Sequence, residues 1–403
     1  MPRPNLHKWE FKARFRKSSF GWRSEPAILR VKQAIAAIKK VARKDPVLAA
    51  EGAVLFLERV SSALQQVDSS SGAIGTAVYN SIEELVQIIA NAPVSEHTRE
   101  GWLDRLFDAH QSDKIPYIES LADYWGQLCG SEPLASAWAN RLIGTTRMAL
   151  SPDKNLRGHF SGTSVCLSAL YRAGRYEELI RLLHADSIWP YKRWAVKALA
   201  AQGKKAEAIR YAEACRSPWA SDYEIAAVCE EILLSSGLHD EAYERYGLLA
   251  NRRGTYLATF RAVRKKYPIK SANQVLDDLV ETTPGEEGKW FAAAKDAGLF
   301  DRAIALAART PCDPRTLTRA ARDSAEANPA FAVDAGLLAL YWLTAGYGYE
   351  ITSLDVWDAY RSTLAAAEHQ HSVAETKARI RDIVAADSDG DRFVTKVLGG
   401  ELG

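Results

Sequence analysis

At 403 residues the chain is long enough for two or three globular domains or one continuous helical array. Hydrophobic residues at 47% and charged residues at 25% are ordinary for a soluble folded chain, and the longest uncharged run, Ala335 to Tyr349, is too short to cross a bilayer. Net charge is only +2, yet residues 1–46 hold 13 Lys and Arg against 3 Asp and Glu, so a +10 arm precedes a −8 body.

Such an asymmetry suggests an anionic partner, nucleic acid or a membrane surface; the other reading is an arm that packs on its own acidic body. Residues 1–24 interleave Trp9, Phe11, Phe15, Phe20 and Trp22 with Lys8, Lys12, Arg14, Arg16, Lys17 and Arg23. Rings can stack on exposed bases while cations neutralise phosphates. They can equally plug a groove of the body, which is favoured because five large rings left in water are unusual. The segment has no apolar stretch of the kind a secretory signal needs.

Residues 26–44 read as a basic amphipathic helix, with Ile28, Val31, Ile35, Ile38 and Ala42 on one stripe and an end before Pro46. A second helix is expected from Val47 to about Val67. A Ser/Gly-rich loop at 68–75 then leads into an apolar-periodic run from Thr76 to Ile89 and reads as a helix-capping loop. Residues 93–145 read as short aromatic-rich helices punctuated by Pro93, Pro116 and Pro133. Residues 147–163 lack apolar periodicity and are the best candidate boundary, or a basic binding loop.

From 165 to 310 one turn recurs four times, aligned on Gly174, Gly203, Gly237 and Gly298. An apolar residue stands four positions before each glycine (Leu170, Leu199, Leu233, Ala294) and another five after (Leu179, Ala208, Ala242, Ala303). Each glycine therefore closes one helix and precedes the next, because a positive φ costs it nothing. Helix pairs of about thirty residues cannot bury an apolar face alone and must stack. A basic cluster, Arg252 to Lys266, interrupts this acidic stretch. On a helix from Tyr256 to Tyr267, Arg261, Arg264 and Lys265 share a face, either an anion-binding ridge or a solvated one. After Pro311, helices are expected at about 315–327, 330–345, 353–369 and 372–386.

The segment resembles tetratricopeptide-type helical repeats: Tyr176 and Phe300 match the aromatic position after the glycine, whereas Lys205 and His239 do not, and the family's leading Trp is missing. The chain as a whole looks like a bacterial helical protein. The resemblance implies an all-α fold, a right-handed α-α solenoid of tetratricopeptide-like helix pairs. Its expected parts are a basic arm and first helix (1–46), an N-terminal helical domain (47–146), the repeats (163–312) and a helical C-terminal cap (313–403). It also implies a protein or peptide partner on a concave face.

No catalytic constellation, cofactor fingerprint or metal set emerges. The run from Asp387 to Asp391 lacks the glycine and glutamate spacing of a calcium loop, His369 and His371 lack a third ligand, and Asp104, Asp108 and His110 do not share a face. Five scattered cysteines without a Cys-x-x-Cys pair suit a reducing, cytoplasmic compartment. The expected function is a non-enzymatic scaffold binding a protein partner; the alternative is a nucleic-acid-associated protein. Candidate partner-binding residues are Lys12, Arg14, Arg16, Lys17, Arg23, Arg261, Arg264 and Lys265.

Overall fold

A computed structural model describes residues 7–153, 155–184, 186, 188–217, 221–386 and 393–402. Pro218, Trp219 and the run from Asp387 to Asp391 lie outside them. The fold is all-helical, with no strand among the described residues. Two compact units divide the chain between Ser221 and Asp222, inside the span expected to hold the repeats.

In the first unit, α1 (Glu10–Arg14) is a single turn, followed by α2 (Ser24–Ala42), α3 (Pro46–Ala63), α4 (Ala73–Ala90) and α5 (Glu96–Gln111). Side-chain caps fix several starts: Asp45 accepts from the Leu48 amide at 2.9 Å ahead of α3, and Ser95 from the Thr98 amide at 3.2 Å ahead of α5. Pro46 occupies the first turn of α3, where its missing N–H costs nothing. The α3 helix is the hub, packing on α2, α4 and α5 and burying Phe56, Leu57 and Val60.

The arm is docked on this hub. Trp9, Phe11 and Phe15 are buried, with Phe15 and Phe11 set 5.2 and 6.1 Å from Phe56, ring centre to ring centre. Gly52 of α3 makes the room, since a Cβ there would collide with the Trp9 indole. Backbone bonds fasten the rest, Ser18 N–H to Ser62 O at 2.9 Å and Asp68 N–H to Trp22 O at 2.8 Å. Of the two readings of the five rings, packing into the body holds for these three, and Phe20 is partly buried beside them. Trp22 alone stays in water, 72% exposed.

A 3₁₀ turn (Glu119–Tyr124) leads into α6 (Trp125–Cys129), then α7 (Glu132–Ala149), α8 (Thr163–Arg172), α9 (Tyr176–Leu183), α10 (Trp189–Ala201) and α11 (Lys205–Ala214). Phe107, Trp125 and Trp138 form an edge-to-face cluster with centres 5.1–5.9 Å apart. The described residues between α7 and Gly162 are non-helical, and Arg157 ties them to the buried Asp186 at 2.7 Å.

The second unit opens with α12 (Asp222–Leu234) and α13 (His239–Ala242), which runs through a π-turn at Tyr243–Gly247 into α14 (Leu248–Ala250). Then come α15 (Tyr256–Lys266), α16 (Ala272–Glu281), α17 (Phe291–Asp296), α18 (Phe300–Arg309), α19 (Pro314–Ser324), α20 (Pro329–Thr344), α21 (Ser353–His369), α22 (Val373–Ala385) and α23 (Phe393–Leu402). The uncharged run from Ala335 belongs largely to α20, which packs against α18, α19, α21, α22 and α23. No described helix is long and apolar enough to cross a membrane.

All four repeat glycines sit at helix ends with positive φ, 68° to 82°. Each is followed by the same bond: Arg175 N–H to Leu170 O, Lys204 to Leu199, Leu238 to Leu233 and Leu299 to Ala294, all 3.0 Å. These are Schellman closures, in which the amide after the left-handed residue satisfies a carbonyl five residues back. The acceptors are the four apolar residues that precede the glycines in the sequence pattern. Leu179, Ala208, Ala242 and Ala303, five residues after them, are fully buried. Two more turns close alike without matching the pattern: Tyr347 N–H to Trp342 O at 2.9 Å, and Ser372 N–H to Ala367 O at 2.9 Å across His371.

Candidate functional site

The first unit contains a cleft of about 650 Å³ between α4, the Glu119–Tyr124 turn with α6, α8 and α10. Its floor depends on Arg99, a buried arginine of α5. The guanidinium donates to four carbonyls, Ile89 at 3.0 Å, Ala90 at 3.2 Å, Ala92 at 2.8 Å and Leu128 at 3.2 Å. These carbonyls lie at and just beyond the C-terminal ends of α4 and α6, where acceptors lack intrahelical partners or take a second donor, so one side chain ties both helix ends together. Burial lowers the Arg99 pKa, and the group stays charged because the value starts so high.

Ser168 of α8 joins the next two elements, donating to Asp123 O at 2.9 Å and accepting from Gly126 N–H at 3.0 Å. A Cβ at Gly126 would stand 2.5 Å from both Arg172 Cβ and Ser168 O, so that contact needs glycine. Successive turns of α8 and α10 then supply the walls. Tyr171 and Trp194 lie 5.7 Å apart, ring centre to ring centre, and the Lys197 ammonium sits 5.1 Å from the Trp194 ring centre. Arg193 pairs with Asp123 at 2.5 Å, and Arg172 donates to Gly130 O at 3.2 Å. Tyr79 and Asn91 complete the rim. The Trp194 indole N–H has no hydrogen-bond partner among the described residues.

Three cations against one carboxylate leave the cleft electropositive, and its flat rings and amides suit an extended polar backbone more than a compact apolar ligand. Burial and neighbouring negative charge push the Tyr124 hydroxyl upward, so it remains a neutral donor and acceptor at ordinary pH.

The residues singled out in the sequence lie elsewhere. Lys12, Arg14, Arg16, Lys17 and Arg23 are exposed on the docked arm. In the second basic cluster Arg261 and Lys266 form ion pairs within their own unit, and the other four cations form none among the described residues. Arg261 grips Asp296 through two bonds of 2.5 and 3.1 Å, and Arg264 donates to the Lys270 carbonyl. Lys266 reaches the fully buried Glu230 at 2.5 Å, where Tyr267 and Asn251 also donate at 2.6 Å. Lys265 is exposed with no ion pair among the described residues. Of the three cations on this face, only Arg261 is held in an ion pair among the described residues.

The cleft residues Tyr79, Arg172, Arg193 and Lys197 were missed in the sequence. A signal in the sequence is the spacing of Arg193 and Lys197, which are four apart and so share one face of a helix. His110 is buried, and no cluster of potential metal ligands occurs among the described residues. Burial raises the thiols of Cys129 and Cys312 to about 12 and that of Cys166 to about 11. They behave as small core groups.

In comparison with known proteins, the chain matches no family model, no curated protein and no solved structure.

Proposed function

We propose that the protein is a non-enzymatic helical-repeat scaffold that holds an extended, acidic segment of a protein partner in the Tyr171–Trp194 cleft. The observation that carries this reading is a groove lined by Tyr, Arg and Asn side chains, with three cations facing one carboxylate. Pairs joined by identical Schellman turns support a right-handed, tetratricopeptide-like α-α solenoid, and in such arrays the first helices of successive pairs line the concave face. The cleft walls are α8 and α10, each the first helix of such a pair. Five free cysteines, four of them buried, support a reducing compartment such as the cytoplasm.

The test places a photo-crosslinking aromatic amino acid at Tyr79, which is 60% exposed on the cleft rim, and a second at Tyr349 of the other unit as a control. The expected product is a protein adduct at position 79 that survives nuclease, maps to an acidic segment and disappears in the Arg172→Glu, Lys197→Glu background. Adducts that are equal at both positions, or unchanged by the charge reversals, overturn the reading.

A further inference from the structure

The strongest uncompensated charge lies away from the cleft. Residues 7–46 carry twelve Lys and Arg against Glu10, Glu25 and Asp45. Among the described residues only one of the twelve, Lys39, forms an ion pair, with Glu84 of α4 at 2.8 Å. Arg14 and Arg30 instead share the neutral side-chain oxygen of Gln33, at 3.5 and 2.9 Å. A folded surface that concentrates this much like charge loses stability by self-repulsion, and a polyanion relieves it.

The shape of the surface narrows the ligand. α2 is flanked by two grooves. One, of about 800 Å³ between α2 and the docked arm, is lined by Lys8, Arg14, Arg30, Lys40 and Lys44. The other, of about 490 Å³ between α2 and α4, is lined by Lys32, Lys39, Lys40 and Arg43. Lys40 stands on the ridge between them. From Arg30 to the C-cap Arg43 this is a basic strip of about 20 Å, at 1.5 Å rise per residue. A small anion would use a fraction of it, whereas duplex DNA presents about one negative charge per 1.7 Å along its axis.

Burial takes most of the arm's rings away from unstacked bases. Phe11 and Phe15 pack on Phe56 and Trp9 packs over Gly52, which leaves Trp22 as the one ring of the five that is exposed. The apolar stripe of α2 (Val31, Ile35 and Ile38) is likewise consumed by the core and cannot enter a bilayer. What remains outward is chiefly cationic side chains, with Trp22 and Leu29 as the exposed large apolar residues among them. We propose that α2 and the docked arm form a preorganised face for the phosphate backbone of double-stranded nucleic acid, read by charge and shape and not by base sequence.

The experiment uses the full chain and a fluorescein-labelled duplex DNA of arbitrary sequence, followed by anisotropy across a salt series. The single strand of the same length and vesicles containing anionic lipid run in parallel. The variant is Arg14→Gln, Lys32→Gln, Lys40→Gln, Arg43→Gln; all four side chains are exposed and free of ion pairs, and an unchanged melting temperature confirms its fold. Duplex binding is expected to weaken steeply with salt, and removing four phosphate contacts should flatten the log–log slope by about 3.6 and lower affinity at least tenfold. No duplex binding, equal binding by the variant, tighter binding of the single strand, or binding to vesicles alone would each overturn the proposal.

Discussion

At the scale of single residues, burial decides which side chains keep their chemistry. Cys129, Cys166 and Cys312 have thiols raised to between about 11 and about 12, so almost no thiolate exists at pH 8. Alkylation of the native protein at that pH should label Cys215 first, because it is only half-buried, and leave those three untouched until the fold opens; mass spectrometry of the peptides reads the order. His110 shows the same effect on a base. Burial lowers its pKa below the ordinary 6.5, against weaker opposing pulls from Glu119, Asp113 and Asp123. The unfolded chain therefore binds this proton more readily than the folded one. The contribution to stability is complete above about pH 6.5 and is lost as pH falls toward the lower folded value. Urea melts at pH 7.5 and 5.5 should show wild type losing more stability on acidification than His110→Gln; equal losses would remove His110 from the acid response.

At the scale of elements, two contacts determine how helices meet. Arg99 satisfies four carbonyls at the ends of α4 and α6. Replacing it with methionine keeps much of the bulk and removes four hydrogen bonds from a charged donor, so Arg99→Met should cost at least about 2 kcal/mol in a denaturant melt. The second contact is between the Trp9 indole and Gly52. A leucine at position 52 fills the space that the ring occupies, so Gly52→Leu should release the arm while α3, a helix with good helix formers, persists. Limited proteolysis near residues 12–17 should then speed up and Trp9 emission should shift red. If the arm stays protected in Gly52→Leu, the docking does not depend on this contact. Truncating the ring itself, Trp9→Ala, should cost about 3 kcal/mol through the cavity it leaves.

At the scale of the whole molecule, the chain makes two units, and the core cluster of the first runs from Trp9 to Ala198 without residues of the second. Fragments 1–221 and 222–403 should each give a cooperative thermal transition by circular dichroism; a fragment that melts without cooperativity would show that its core is incomplete alone. Sequence periodicity was enough to place α2, α3, α4 and α19 to α22 within a few residues, and the Gly174, Gly203, Gly237 and Gly298 turns to the residue, whereas α23 was not expected. Those features are local: a glycine's left-handed φ, a cap and an apolar stripe are written within one or two helical turns. Which side chains share a cleft was not written there. Tyr79, Asp123, Arg172 and Lys197 meet through packing across more than a hundred residues, and no periodicity encodes that distance. The fate of the charges was equally non-local. Arg261 and Arg16 look alike in the sequence, yet Arg261 finds Asp296 across a helix pair while Arg16 is exposed with no ion pair among the described residues. Composition alone set the basic arm against an acidic body, and only the tertiary structure decided that the rings would be buried and the cations left outside, because burying an apolar ring is favourable and burying an unpaired charge is not.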